Sequence, residues 1–484
     1  MKPRLLFVTN QRKTAFYSAL GKRLAGEGAE VHWVSVGERW SQMLAADGWQ
    51  DGRILHLHRH GWEWEAGMGG TPLDLQRLRR IETASGTSMK SILIMDRELN
   101  RRQGPQKDAY VSIVAREIDR FVAAHGIDYG FGEPTWAPEM IASAVLQASG
   151  GHYWSPFTIR VPSSRIAFFP TLQHDRVSEI REPGAADREI ARATIRSVRE
   201  RGERPYYFTT NRNPQRFRTH WLEEARKGMT RAGDDRFDHT VPGLVVRSRR
   251  RIGARLHAVR ARSYPRFERA PANPTRPFVF VTLHKQPESS VDVFGAPFDN
   301  QLEAIRALAR VLPFDWEIWV KEHNHAIGDR SLGYYEALLR IPGVRLIDPD
   351  EDGMAIMRRA SLVASASGTS CMEAGILGIP AVTFGRLFFA PLLLRTAFDP
   401  YAMTSAAMAD LIAEADAMRK DPARDQRIED FLAWLVAQSS EGLISDPVSN
   451  PSCLDEANIA AVGEAMMRVM RSHAPAGTAE RLAS

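Results

Sequence analysis

Along the chain, the apolar positions alternate between short continuous runs and helical stripes. Residues 5–8 (Leu-Leu-Phe-Val) form a run of the kind buried on both faces of a parallel sheet. Thr9-Asn10-Gln11 makes a polar turn, and Phe16, Leu20 and Leu24 then mark one face of a helix that Gly26 and Gly28 stop. Residues 31–36 give the next strand. This strand–helix–strand opening predicts a doubly wound sheet that binds ligands at the carboxyl ends of its strands. Residues 70–125 read as mainly helical. Residues 127–132 read as a strand ending at Glu133-Pro134-Thr135, followed by a helix through Ile141 and Leu146 and a strand ending near His152.

The pattern thins between residues 185 and 276, where arginine becomes dense: Arg247, Arg249, Arg250, Arg251, Arg255, Arg260 and Arg262. This stretch reads as an insertion or interdomain segment, part helical and partly mobile, closed by Pro271, Pro274 and Pro277. A second α/β series begins with a strand over 278–283 and a helix around 300–312, with Leu302, Ile305, Leu308 and Ala309 on one face. A strand over 316–320 runs into Lys321-Glu322-His323. Further elements follow at 332–339, 344–347 and 353–360, then a strand–turn–helix–strand series across 362–384. Helical periodicity resumes from about 403, and a disordered tail is expected after Ala474. The expected organisation is α/β of the two-Rossmann kind. A first domain (1–184) and a second (277–402) face a cleft, with the basic insertion (185–276) between them, C-terminal helices (403–474) and a tail (475–484).

The 484 residues are 44% hydrophobic and 25% charged, as in a folded globular protein, with a net charge of +6. The sequence pI near 9.4 is compatible with acidic partners such as nucleotide sugars, anionic glycans or anionic lipid headgroups. Two cysteines, Cys371 and Cys453, exclude a disulfide framework or a cysteine-based zinc cluster and fit a reducing cytosol. The N-terminal apolar core is about four residues, short for a signal peptide, and no run approaches the roughly 18 apolar residues of a membrane span. A cytoplasmic location is expected, with peripheral contact at the inner face of a membrane through residues 185–276. The arginine-rich segment has three readings: a solvated face, a patch for anionic membrane or glycan, or a nucleic-acid contact. The last is least supported, since no recognition module or interleaved stacking aromatics accompany it.

Chemistry concentrates at the ends of three strands of the second series. His284-Lys285-Gln286-Pro287-Glu288 follows the first and Lys321-Glu322-His323-Asn324-His325 the second. Ser367-Gly368-Thr369-Ser370 follows the last. In a parallel sheet these ends share one edge and can meet around one ligand. The turn at 367–370 aims backbone N–H groups and a helix N-terminus at a phosphate position. Glu373, expected near the first helical turn, is placed to reach the hydroxyls of a ribose, which suggests a nucleotide-sugar site. Lys321 and His323 are candidates for holding phosphate charge; the bland alternative is a strand ending in solvated polar residues. Glu288 is a candidate base or sugar ligand, and His284 and Gln286 point to the same edge. A metal held by His323 and His325 matches no known ligand spacing. Cys371 reads as a packed helix residue. In the first series, Thr9-Asn10 and Glu133 face the cleft from the other side, with Glu133 a candidate base for an acceptor hydroxyl. Arg160 and Arg165 read as surface charges, with contact to an anionic substrate the alternative.

The run from about 278 to 390 resembles bacterial capsular and surface polysaccharide biosynthesis proteins related to the capsule Kdo transferases. The resemblance rests on Gln286-Pro287-Glu288, on Lys321-Glu322-His323 with Asn324 where that family has proline, and on the Ser-Gly-Thr-x-x-x-Glu-Ala turn of residues 367–374 with Gly378, Pro380, Phe384 and Gly385 beyond it. It implies a GT-B type glycosyltransferase that uses a nucleotide-sugar donor (CMP-Kdo-like or UDP-sugar) as substrate, without cofactor or bound metal. The donor would bind the second domain, and a glycan or glycolipid acceptor the first. Asn324 leaves the base of the nucleotide open. The turn and Glu373 are also similar to the nucleotide site of UDP-N-acetylglucosamine 2-epimerases. A nucleotide-sugar epimerase and a non-catalytic scaffold of a polysaccharide assembly complex are the rival expectations.

Overall fold

The computed structural model describes residues 2–66, 73–102, 105–202, 235–324 and 326–473. Part of the insertion, His325 and the expected tail lie outside these residues.

The first unit is built on a seven-stranded sheet. Its strands are β1 (Arg4–Val8), β2 (Glu30–Ser35), β3 (Ile54–His56), β4 (Tyr129–Phe131), β5 (His152–Thr158) and β6 (Arg165–Phe169), joined by a late strand from the C-terminal region. The order β3-β2-β1-β4-β5 is parallel throughout, and β6 adds antiparallel at the β5 edge. β1 is buried along Leu5, Leu6, Phe7 and Val8 because both sheet faces are covered, which is why the sequence there is continuous rather than alternating. His152 begins a strand rather than ending one. The run from His152 to Phe157 is broken by Ser155 and Pro156, which hides a strand that pairs with β4 on one side and β6 on the other.

The second unit carries β7 (Phe278–Thr282), β8 (Glu317–Lys321), β9 (Val344–Ile347), β10 (Leu362–Ser365) and β11 (Ala381–Thr383), all parallel, in the order β11-β10-β7-β8-β9. Both sheets therefore have the same doubly wound order. In each, the strand order reverses at one point, between β1 and β4 in the first and between β7 and β10 in the second. Such reversal points open the crevice where doubly wound folds bind ligands. The strand ends of the two sheets meet: Arg160, beyond the carboxyl end of β5, donates to the carbonyl of Ser367, beyond the carboxyl end of β10, at 2.9 Å. Arg97 donates to Ser289 Oγ at 3.0 Å. Two Rossmann-like units thus meet at the carboxyl ends of their strands.

The C-terminal region crosses back. After helices Ser405–Lys420 and Arg424–Ala437, strand β12 (Ser440–Glu441) pairs antiparallel with β6. Helix Glu456–Ser472 then packs Val462, Met466, Val469 and Met470 among Leu5, Phe7, Phe16, Leu20 and Trp33, on one face of the first sheet. From the insertion, residues 235–243 pack on the first unit: Trp40 Nε1 donates to Asp238 Oδ2 at 2.9 Å, and Gln11 Nε2 to the Thr240 carbonyl at 2.9 Å. No described helix is long and apolar enough to cross a membrane.

Candidate functional site

The reversal point of the second sheet is organised by a buried serine at the end of β10. Ser365 Oγ lies 2.8 Å from His284 Nε2, accepts the Gly368 N–H at 3.2 Å, and lies 3.4 Å from Thr282 Oγ1. The Ser367 N–H also donates to His284 Nε2, at 3.3 Å. An Nε2 that accepts a backbone N–H carries no proton, so the ring is the neutral tautomer protonated on Nδ1. Burial, with the nearby charges of His323, Arg160 and Arg330, lowers the His284 pKa to about 3 and keeps it neutral. His284 thus acts as a fixed strut beneath the Ser367 turn. Its own backbone is held by Gln301, whose Oε1 accepts the His284 N–H at 2.7 Å.

Helix Thr369–Ile376 starts above this strut. At its start the Cys371 N–H donates to the Gly368 carbonyl at 3.1 Å, closing the first turn on the glycine. Gly368 has φ of −64°, which any residue can adopt, so the turn needs glycine for space. A Cβ there would sit 2.5 Å from Ser365 Oγ and 2.8 Å from Ser370 Oγ. Ser370 Oγ is bonded to Thr282 Oγ1 at 2.7 Å, tying the helix start to the end of β7. Glu373 falls in the second helical turn, beyond the expected first, and is buried. Cys371 is buried, and its Sγ donates to the Val382 carbonyl at 3.4 Å.

Lys321 ends β8 and is buried, with Nζ donating to Asn324 Oδ1 at 2.7 Å and to the Pro349 carbonyl at 2.6 Å. Asn324, standing where proline was anticipated, is therefore a partner of this lysine. Beside it, Glu322 is buried against Arg330 (2.6 and 2.8 Å) and receives the Tyr335 hydroxyl at 2.9 Å. Arg330 also reaches the His284 carbonyl at 2.5 Å. This pair clamps the loop after β8 to the loop after β7 and brings half-buried His323 near His284. Gln286 and Glu288 lie on the β7 loop, both turned toward Asp292. Its carboxylate accepts Gln286 Nε2 at 2.7 Å and the Glu288 N–H at 2.8 Å, while Glu288 Oε2 accepts the Ser290 hydroxyl at 3.0 Å.

Across the interface, Glu133 is buried and paired with Lys13, Nζ lying 2.5 and 2.6 Å from its two oxygens. Asn10 Nδ2 donates to Glu139 Oε1 at 3.0 Å, and the N–H groups of Thr135 and Trp136 reach Glu139 Oε2 at 3.3 and 3.1 Å. Burial, then the charge of Glu133, raises the Glu139 pKa well above the carboxylate range. A second buried pair, Asp96 and His239 (3.1 Å), adjoins this wall. Burial opposes the Asp96 charge, yet His239 and the N–H groups of Leu99 and Ala137 hold its pKa below the usual value. Arg97, next in sequence, bridges to Ser289 beside Glu288, so this wall of the first unit and the β7 loop are neighbours.

Arg160 overturns the surface-charge reading. It is buried, holds a left-handed backbone with φ of +73°, and lies between the two units. Its guanidinium donates to the Ser367 carbonyl at 2.9 Å and reaches Thr369 Oγ1 at 3.4 Å, with the ring of Phe389 at 5.0 Å. A non-glycine residue held there costs on the order of 1–3 kcal/mol and marks a position the surroundings over-determine. Arg165 is bonded to Ser439 Oγ at 2.8 Å. Sequence reasoning took Arg160 for a surface charge because nothing local shows that the end of β5 abuts the Ser367 turn. Likewise, Ser365 and Arg330 carried no motif. A cavity of about 940 Å³ adjoins the β7 loop at Asp292 and is lined among others by Ser85, Gln147, His152, Arg176 and Asp299. Among the described residues, no cluster of three or more histidines, cysteines or carboxylates forms a metal site.

No protein-family model matches the sequence, and no curated protein matches it significantly. Similar solved structures include KpsC, a beta Kdo 2,7 transferase from Thermosulfurimonas dismutans, at 15% identity and TM-score 0.28, covering 62% of this chain and 80% of that one. MurG of Acinetobacter baumannii is similar at 10% identity and TM-score 0.26, over 89% and 99% of the two chains. The UDP-GlcNAc 2-epimerase of Neisseria meningitidis, bound to UDP-GlcNAc, is similar at 10% identity and TM-score 0.23, over 90% and 97%. Likenesses this remote decide neither reaction nor substrate.

Proposed function

We propose that the protein is a glycosyltransferase that moves a sugar from a nucleotide-sugar donor to a glycan or glycolipid acceptor in the building of a bacterial surface polysaccharide. The donor phosphates would sit on the turn at 367–370, against the first N–H groups of helix Thr369–Ile376, with Glu373 on the ribose. As the glycosidic bond breaks, negative charge grows on the departing phosphate. Pre-oriented N–H dipoles there stabilise that charge more than the ground state, which accelerates the step without a metal. Arg160 adds positive charge at the same edge, and His323 offers a ring N–H as a hydrogen-bond donor. Glu133 or Glu288 would take the proton of the acceptor hydroxyl. The observation carrying this reading is the Ser365–His284 strut at the reversal point of the second sheet, which fixes the Ser367 turn with its helix start facing the other unit.

The test is a thermal-shift screen with CMP, UDP and their sugar conjugates, repeated on Glu373→Ala and on the shape-conserving Glu373→Gln. A nucleotide-induced shift in the parent, lost in both variants, is expected. An unchanged shift removes Glu373 from the site. Release of free epimerised sugar from a donor, with no acceptor present, overturns the transferase reading.

A further inference from the structure

We infer that the helix Leu244–Arg262 is a docking element for an anionic phospholipid surface. This 19-residue helix carries seven arginines and no carboxylate. At 100° per residue, Val245, Ile252, Leu256 and Val259 fall within an arc of about 60°. Their exposures are 80%, 61%, 55% and 70%, so an apolar stripe, interrupted only at the level of Ser248 and Arg249, faces solvent along the helix. The opposite face packs on the protein. Ala261 is buried, Ala254 and Ala258 abut Gly328, and Arg250 pairs with Glu98 at 2.7 Å. On the same wheel Arg249 and Arg260 border one side of the stripe, and Arg255 and Arg262 the other; all four are exposed.

An apolar stripe between two rows of cations matches the boundary of an anionic bilayer, where acyl chains take the aliphatic side chains and headgroups take the arginines. The other occupants fit less well. A second copy seated on the stripe would bring arginine rows against arginine rows. A nucleic-acid backbone would leave the valine, isoleucine and leucine without a partner, and the helix offers no Phe, Tyr or Trp to stack on bases. The charge and length of the helix suit lying in the interface rather than crossing it.

The anchorage of the helix gives this docking a direction. Glu98 belongs to the segment of Asp96 and Arg97 on the first unit, and Gly328 to the loop that follows Lys321 and His323 on the second. A docked helix would therefore hold the cleft mouth beside the bilayer, where a lipid-linked acceptor enters without leaving the membrane. That last step rests on the transferase reading; the docking itself does not.

The test is co-sedimentation of the full chain with vesicles of phosphatidylcholine alone and of phosphatidylcholine mixed with phosphatidylglycerol. Binding to the mixed vesicles is expected, weakened roughly tenfold or more without the anionic lipid or at high salt. Ile252→Glu/Leu256→Glu is expected to lose binding by roughly tenfold or more while keeping the parent circular dichroism and melting temperature, because both side chains are already exposed. The indole introduced by Leu256→Trp should shift its emission to the blue on mixed vesicles. Failure of the parent to bind, equal binding by the double variant, or an unmoved indole emission overturns the inference. So does a dimer in solution that the double variant disperses. Nucleotide binding, measured separately on the double variant, is expected to stay at the parent level, so failure of docking and failure of the donor site are read independently.

Discussion

Gly368→Ala tests the strut most directly. Ordinary carbon–oxygen contact begins near 3.4 Å, and the new methyl would meet Ser365 Oγ at 2.5 Å, an overlap of about 0.9 Å in a buried place. Ser365 cannot yield freely, because its hydroxyl contacts His284 Nε2 at 2.8 Å and accepts from Gly368 at 3.2 Å. Overpacking costs about 1–3 kcal/mol, and one or two weakened neutral hydrogen bonds add about 1–2 kcal/mol. Gly368→Ala should therefore destabilise the second unit by about 2–5 kcal/mol. Ser365→Ala alone leaves the His284 nitrogen and the Gly368 N–H short of a partner, for about 1–3 kcal/mol. In the double variant the nearer of the two offending oxygens is gone; Ser370 Oγ, at 2.8 Å from the new methyl, must still turn aside, and the Ser365 Cβ, at 3.2 Å, needs only a small shift. The two costs should then fall short of their sum by at least about 1.5 kcal/mol, well outside the scatter of independent sites. Urea unfolding read by hydrogen exchange of peptides covering β7 and β10 reports this unit alone. Additivity within about 0.5 kcal/mol would refute the contact between Gly368 and Ser365 as the reason for the glycine.

Other expectations follow from the same geometry. Arg160→Ala should weaken the second unit's hold on the first by about 2–3 kcal/mol through the lost charged bond to Ser367. Arg160→Gly should be about 1 kcal/mol milder, because glycine accepts φ of +73°; equal unfolding midpoints for the two would dismiss the backbone strain. His284, with its native pKa lowered to about 3, refuses a proton that the unfolded chain accepts below about 6.5. Stability contributed by this group therefore falls as the pH drops through that window, by up to about 1.4 kcal/mol per unit. His174, buried with its pKa well below normal by burial and then by Arg160, acts in the same direction. Urea midpoints at pH 7 and pH 5 should converge in His284→Gln relative to the parent; an unaltered pH slope would mean that His284 is not held neutral.

The long apolar runs at β1, β2, β7, β8 and β10 could be read from sequence because burial on both faces leaves a local, unbroken signature. β3, β6 and β12 could not. β3 and β12 are only three and two residues, and β12 takes its strand character from pairing with Ile166 and Arg165, while β6, five residues like β1, is bounded by Pro162-Ser163-Ser164 and Pro170 and reads as loop. The site divides the same way. His284, Lys321 and the Ser367 turn announce themselves as polar residues after apolar runs. Ser365 reads as the last residue of a strand, Arg330 as a loop charge and Arg160 as a surface charge, because the groups that give them meaning lie far away in sequence. Arg160 and Ser367 are 207 positions apart. Lys321 has a different lesson: its place at a strand end was visible, but its bond to Asn324 depends on how the following loop folds back.

The return of the C-terminal strand and helix to the first sheet has a consequence for synthesis on the ribosome. The face of that sheet carrying Leu5 and Phe7, on which Phe16 and Leu20 of the helix Thr14–Gly26 pack, is completed by Val462, Met466 and Met470. At roughly 5–20 residues per second, the covering helix follows β6 by roughly 15–60 s. During that interval the nascent first unit presents an apolar sheet face only partly covered by the helix Thr14–Gly26, while the second unit already has all five of its strands. The order of completion is then the reverse of the order of emergence. A stop codon placed just before residue 440 should release a chain whose N-terminal half, not its truncated end, seeks a chaperone.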